Sequence, residues 1–289
     1  MNGQEITSRT EGWARPDPMS EAEFRIFGEF IESRLGIRMP RNKKGMLESR
    51  LVKRLRSLGL SSYKKYREYL FSPEGMEAEL PHLIDAVTTN KTEFFRESEH
   101  FDLLAKEILP GWTEAASSGR ITLWSAGCST GEEIYTAGMV LEDSLANRPG
   151  WDFEMLGTDI SKEVLRTAAR AVYTEDRVER VPPLWQRKYL MRSRDRSRQL
   201  VRIVPELRAR TSFRQLNLME DFSLAERMDL IFCRNVIIYF EKPVQERILA
   251  KLTHCLRRGG FLFIGHSESL SGSGLPLRQY RPTVYRKTG

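Results

Sequence analysis

The apolar pattern of this 289-residue chain changes period once, near Phe95, and that change limits the folds open to it. Before it, apolar residues recur every three to four positions, as on one face of a helix. Ser20 followed by Glu23 reads as a capping box. Phe24, Phe27, Ile31 and Leu35 then mark a face that Gly36 terminates. Leu47, Leu51, Leu55 and Leu58 stripe a second helix, expected over about residues 42–58 and closed by Gly59. Ser61 or Ser62 caps a third, with Tyr63, Tyr66 and Leu70 inward. Pro73 opens another, carrying Met76, Leu80, Leu83, Ile84 and Val87. Residues 20–87 are therefore expected to be a small helical bundle, after a disordered stretch over residues 1–19.

Beyond Phe95, short apolar runs alternate with helical stretches. A helix at about 98–108 leads to a strand at 121–126, a glycine-containing loop and a helix at 132–145. A strand at 153–157 runs on to Asp159, and Ser161 caps the next helix. A buried strand at 230–233, a helix at 243–256 and a strand at 260–265 follow, then a hairpin of 277–280 with 283–286. Such alternation calls for a parallel sheet with helices on both faces, an α/β fold. Gln199 to Val204 alternates like an exposed strand, so a small β insert is expected around 178–210. Residues 88–97 link the two parts, and the second part runs over 98–289.

Composition narrows the setting. Three cysteines, Cys128, Cys233 and Cys255, are too few for a disulfide framework and point to a reducing cytoplasm. No apolar run approaches the ~20 residues that span a bilayer, and the polar start does not read as a signal peptide. The net charge is +7, concentrated in two segments. Arg34 to Arg67 holds 12 basic residues and one acid, and Arg177 to Arg214 holds 12 and three, so the remainder is net acidic. Basic segments of this kind meet an anionic partner or are simply solvated. On the second helix Lys43, Arg50 and Arg54 fall within about 40° of one another at 3.6 residues per turn.

Four places could carry chemistry. The loop from Ala126 through Gly127 to Glu133 follows a strand and opens a helix; its glycines permit tight turns and close ligand approach. Two acids at the helix start argue against a pyrophosphate and suit hydroxyls and a cation. Asp159, past the next strand, can accept from ribose hydroxyls or cap its own helix. Cys233-Arg234-Asn235 ends a buried strand, with Tyr239 four residues on; a turn and a core tyrosine are the plainer alternatives. In Thr88 to Arg96 the polar residues bond readily to backbone, and Phe94 and Phe95 would anchor the linker so that Arg96 faces a cleft.

Taken together and in order, the segments 88–97, 124–135, 232–239 and 265–268 closely resemble the CheR methyltransferases, which esterify glutamates on chemotaxis receptors. The resemblance runs from about Phe24 to Tyr285. It implies an all-α domain followed by a Rossmann-like, S-adenosylmethionine-dependent methyltransferase domain with a small inserted β-subdomain. By resemblance, the cofactor is met by Asn90, Thr92, Arg96, Glu133, Asp159, Asn217, Leu218, Arg234 and Asn235, with Ala126 and Gly127 in the loop. Arg96 and Tyr239 match positions implicated in activity. One departure stands out: Ser193 to Arg198 lacks the glycine-bearing turn with which some members bind a receptor peptide.

The implied chemistry is methyl transfer to a glutamate carboxylate, which is ionised at neutral pH, so neither general base, metal nor catalytic histidine is expected. Arg50, Lys53, Arg54 and Arg56 would dock an acidic coiled-coil receptor, steering a monomer to receptor arrays at the membrane. Two rivals remain at this level: a nucleic-acid methyltransferase and a binding module that has lost catalysis.

Overall fold

The computed structural model describes residues 15–270 and 274–289. The chain divides into two compact units, Met1–Thr88 and Thr89–Gly289.

The first unit is built of α1 (Glu21–Leu35), α2 (Lys44–Leu58), α3 (Tyr63–Leu70), α4 (Pro73–Ala78) and α5 (Leu80–Val87). Ser20 and Glu23 form the capping box reciprocally, and Gly36 and Gly59 end α1 and α2 in the left-handed conformation. Ser62 is the cap of α3. The single helix expected from Pro73 to Val87 is instead two. Pro81 lacks an N–H and its ring opposes a helical approach, so the chain breaks at Glu79, with φ −103°. That break turns the Glu79 carboxylate inward. It accepts both Arg54 Nε and Nη2 at 2.8 Å and the Tyr66 hydroxyl at 3.0 Å. Of the stretch expected to be disordered, residues 1–14 lie outside the described residues. Met19, by contrast, is 1% exposed, and its N–H donates to Glu48 at 2.6 Å.

The second unit opens with α6 (Glu99–Leu103), a π-turn (Leu104–Ile108) and α7 (Leu109–Ala115). The helix thus runs past its expected end, because Pro110 falls in the first turn of α7, where no N–H is needed. Then come β1 (Gly119–Ala126), α8 (Glu132–Leu145), β2 (Trp151–Asp159), α9 (Lys162–Arg170), β3 (Val172–Thr174), α10 (Pro183–Tyr189), β4 (Leu190–Arg192), β5 (Leu200–Ile203), α11 (Pro205–Ala209), β6 (Thr211–Gln215), β7 (Met228–Cys233), α12 (Lys242–Cys255), β8 (Leu256–Ile264), β9 (Leu277–Arg281) and β10 (Val284–Lys287).

Seven strands form one sheet in the order β6-β2-β1-β7-β8-β10-β9. The first five are parallel, and β10 runs antiparallel to both β8 and β9. Every residue of β7 is buried, as a central parallel strand covered on both faces requires. Alternate residues serve opposite layers: Leu230 and Phe232 join Phe263 on one side, Ile231 and Cys233 join Trp124 and Leu262 on the other. Burying layers of this size on both faces is the main stabilising term, at about 25 cal/mol per Å² of apolar surface. The insert is a separate antiparallel sheet, β3-β5-β4, which starts at Val172, upstream of the expected boundary.

Candidate active site

The strand order reverses at β1: the chain leaves it for β2 on one side and later fills β7 on the other. Doubly wound sheets bind ligands in the crevice at the carboxyl ends of such strands. Here that edge is formed by the loops after β1, β2, β6 and β7.

The loop after β1 is locked into an unusual path. Gly127 has φ 84° and Gly131 φ 96°, and Ser129 also sits at φ 49°. A Cβ on Gly127 would lie 2.5 Å from the Val236 side chain, so the loops after β1 and β7 meet where only glycine fits. Asp159 ties this loop to β2. Its Oδ2 accepts the Ser129 N–H at 2.9 Å and its Oδ1 the Ser161 N–H at 3.0 Å. The Leu216 N–H donates to the Asp159 carbonyl at 3.0 Å, which draws Asn217 and Leu218 to the same edge. Leu218 is buried in the apolar layer beneath, and the Asn217 Oδ1 caps its own turn at Met219.

The two acids opening α8 diverge. Glu132 is fully buried, accepts from Thr130 Oγ1 at 2.6 Å and faces the Arg177 guanidinium. Glu133 is half-buried, accepts from Ser125 Oγ at 2.7 Å and has Oε2 3.5 Å from Arg234 Nη1. Burial pushes both carboxyls above the usual range, against the pull of these partners. Only Glu133 of the pair is therefore placed to meet a ligand.

The linker folds as a turn with two non-glycine residues in the left-handed region, Phe95 (φ 55°) and Glu97 (φ 53°). Phe94 is buried and packs edge-on to Tyr173 at 5.1 Å, and the Phe95 N–H donates to Thr136 on α8. Arg96, carried between the two, is half-exposed, and its Nη1 donates to the Lys91 carbonyl at 2.8 Å. The Asn90 carbonyl accepts from Ser129 Oγ at 3.2 Å, so the linker lies along the glycine loop, and Thr92 sits half-buried between Asn90 and Phe94.

Beneath this turn lies an ion-pair hub that the residue patterns did not single out. Glu97 Oε2 pairs with Arg234 Nε and Nη2 at 3.3 and 3.2 Å, and Oε1 accepts from Asn235 Nδ2 at 3.3 Å. Burial would raise the Glu97 carboxyl, but Arg234, His266 and Asn235 together hold it below the usual range. Arg234 also donates to the Arg96 carbonyl. Its guanidinium is 1% exposed and braces the turn that carries Arg96. Glu268 performs a second clamp: its carboxylate accepts the N–H groups of Asn235, Ile238 and Gly265 at 3.1, 3.2 and 2.6 Å. This fixes Asn235 (φ 58°) and the Ile237–Tyr239 turn on which half-buried Tyr239 stands. Glu97 and Glu268 both fall inside segments that carried the family resemblance, which was the only sequence signal for them.

Glu97, His100 and His266 bring three metal-type ligand atoms within 4.8 Å of one another. They do not fit a cation. Arg234 and Asn235 already occupy the Glu97 carboxylate, and the guanidinium charge beside it repels a second cation.

The crevice suits a cationic cofactor with hydroxyls. Glu133 offers a carboxylate, Asp159 places a second one at the end of β2 against the loop after β1, and the close-packed glycine loop leaves its backbone near the strand ends. Fold and donor set together define an S-adenosylmethionine-dependent methyltransferase. Comparison with known families agrees. Residues 90–285 match the CheR methyltransferase SAM-binding domain, and residues 22–88 match the CheR methyltransferase all-alpha domain. A chemotaxis protein methyltransferase of Klebsiella aerogenes is 38% identical over 94% of this chain and 91% of its own. Those of Borreliella burgdorferi and Escherichia coli K12 are each 38% identical, over 90% and 88% of this chain and 92% and 86% of theirs. The chain belongs to the CheR methyltransferase family.

Proposed function

We propose that this protein methylates glutamate side chains of chemotaxis receptors, using S-adenosylmethionine and leaving a methyl ester. The observation that supports the reading is the braced turn 94–97, which carries Arg96 near enough to Glu133 to pull its carboxyl down, beside the strand ends where a substrate carboxylate would need a cation. A glutamate with an ordinary pKa of ~4.3 is already a nucleophile at neutral pH. The cofactor, when bound, supplies a methyl group on a sulfonium leaving group. The protein's task is then positioning. Arg96 and the Tyr239 hydroxyl hold the incoming carboxylate. Glu133 and Asp159 take the cationic and hydroxyl groups of the cofactor. Asn217 and Leu218 border its base, Ala126 and Gly127 give it backbone approach, and Asn90, Thr92 and Asn235 close the rim. Arg234 acts through the turn, keeping Arg96 in place.

The receptor-docking assignment narrows. Arg50 donates to the carbonyls of Ala86 and Thr88 at 3.0 and 2.9 Å, and Arg54 is held by Glu79, so both serve the bundle. Lys53 and Arg56 are exposed on α2 and remain the residues that face an acidic, coiled-coil receptor surface. Among the described residues no helix is long and apolar enough to cross a membrane. We place the protein in the bacterial cytoplasm as a monomer, recruited to receptor arrays.

The test is methyl transfer from radiolabelled S-adenosylmethionine, with receptor membranes and nucleic acid offered separately. Label on the receptor released as a volatile product by mild alkali is the expected result, because carboxyl esters hydrolyse there. Alkali-stable label on nucleic acid would overturn the reading.

A further inference from the structure

In the glycine loop Ser129, a non-glycine residue, sits in the left-handed region two positions before Gly131, and such backbone persists only where the surroundings fix it. Asp159 secures one side of it. The other side is secured from the inserted subdomain. The buried Tyr173 hydroxyl donates to the Thr130 carbonyl at 2.8 Å, and a Cβ on Gly131 would lie 3.0 Å from the Tyr173 hydroxyl oxygen. Four residues on, Arg177 Nη2 reaches Thr130 Oγ1 at 3.3 Å and faces Glu132, a carboxylate with no solvent exposure. Three further on, Arg180 Nη1 meets Glu93 of the linker at 2.7 Å, next to Phe94, whose ring lies against Tyr173. One segment of eight residues therefore grips both stretches that border the cofactor crevice.

We propose that Tyr173, Arg177 and Arg180, at the root of the inserted subdomain, are positioning residues for the cofactor: they set the Thr130–Glu132 turn and the linker at Glu93, and so the placement of Glu133 and Arg96. The inference rests on the reading of this crevice as the S-adenosylmethionine site. Its physical core is the Arg177–Glu132 pair. A buried carboxylate deprived of its cation either takes up a proton or leaves its pocket, and leaving would unwind the turn that precedes Glu133. The outer half of the pair is open to water, because the Arg177 side chain is 38% exposed. Cofactor affinity is thereby tied to the state of the insert.

The test is calorimetric binding of S-adenosylhomocysteine to the full chain between pH 6 and 9. Arg177→Met should weaken binding about tenfold at the alkaline end and progressively less as pH falls, because a protonated Glu132 no longer needs the guanidinium. Adding Glu132→Gln should bring affinity back to within about threefold of wild type, as expected for residues coupled in one pair. Tyr173→Phe, which removes a single hydroxyl, should weaken binding about fivefold, raising the KM for S-adenosylmethionine and leaving that for the receptor unmoved. Arg177→Lys should keep most of the affinity. Wild-type affinity at every pH in both Arg177→Met and Tyr173→Phe would overturn the inference. If the wild-type chain itself bound no S-adenosylhomocysteine, the cofactor reading would fall first.

Discussion

Each unit of this protein holds an arginine–glutamate pair with one partner buried, and the two clusters differ in how well they are satisfied. In the helical unit, Glu79 receives a two-pronged Arg54 and the Tyr66 hydroxyl, all at 2.8–3.0 Å. In the catalytic unit, Arg234 lies between Glu97 and Glu133 at 3.2–3.5 Å, and its Nη1, though buried, has no hydrogen-bond acceptor among the described residues. The first arrangement is closed, and its work is to hold α2 against the α4–α5 break. The second is open, with anionic groups shared among the turn of Arg96, the loop of Asn235 and the head of α8. A fold meets its polar requirements fully where it only needs stability and leaves them incomplete where a ligand must fit.

The largest expected effect probes the closed cluster. Arg54→Ala strands the Glu79 carboxylate and should lower unfolding free energy by about 3 kcal/mol, read by denaturant titration of the full chain. S-adenosylhomocysteine affinity should stay near wild type. In the open cluster the balance should invert. Glu97→Gln should cost less stability, because Glu133 still faces Arg234, yet lower turnover about 100-fold as the Arg96 turn loosens. Equal losses of stability in these two variants would erase the distinction between the clusters.

Smaller effects sharpen the same contrast. Arg96→Ala removes a half-exposed side chain, so melting temperature should hardly move while turnover falls at least about tenfold; near-wild-type turnover would remove Arg96 from the catalytic pair. Reversing Lys53 and Arg56 to glutamate should raise the receptor KM about threefold to tenfold, with cofactor affinity unchanged. A matching loss of cofactor affinity would indicate damage to the fold.

What could be read from the chain beforehand follows from the range of the forces involved. Helix caps at Ser20, Ser62 and Ser161 act over three residues; the local pattern placed the first and last, and offered Ser61 or Ser62 for the other. The strand at 230–233 announces itself as an unbroken apolar run, since both faces are covered, and the strand at 121–126 by Ile121, Leu123, Trp124 and Ala126 between small polar residues. The break at Glu79 was missed because Met76, Leu80, Leu83 and Val87 keep helical spacing across it. Strand β3 was missed because three residues carry no period and gain their partners only from β5. At the candidate site, the glycine loop and Asp159 follow from strand ends. The Glu97–Arg234 contact spans 137 residues of sequence, and the Glu268–Asn235 clamp 33, so no local pattern reports them. The same is true of Arg50 and Arg54: a helical wheel aligns them with Lys43 as a basic stripe but cannot show that the stripe turns toward carbonyls and a buried glutamate.

Strand β10 lies between β8 and β9 in the sheet, although it follows both in the chain. During synthesis, β9 therefore emerges before the strand it pairs with, and β8 waits with one edge bare. A nascent chain halted near residue 281 would present two unpaired edges beside the stacked rings of Phe232 and Phe263, a surface that invites association with other chains. The helices of the first unit pack on one another within residues 21–87. Translation should thus release a formed bundle early and hold the catalytic sheet unfinished until Val284–Lys287 is free to slot in.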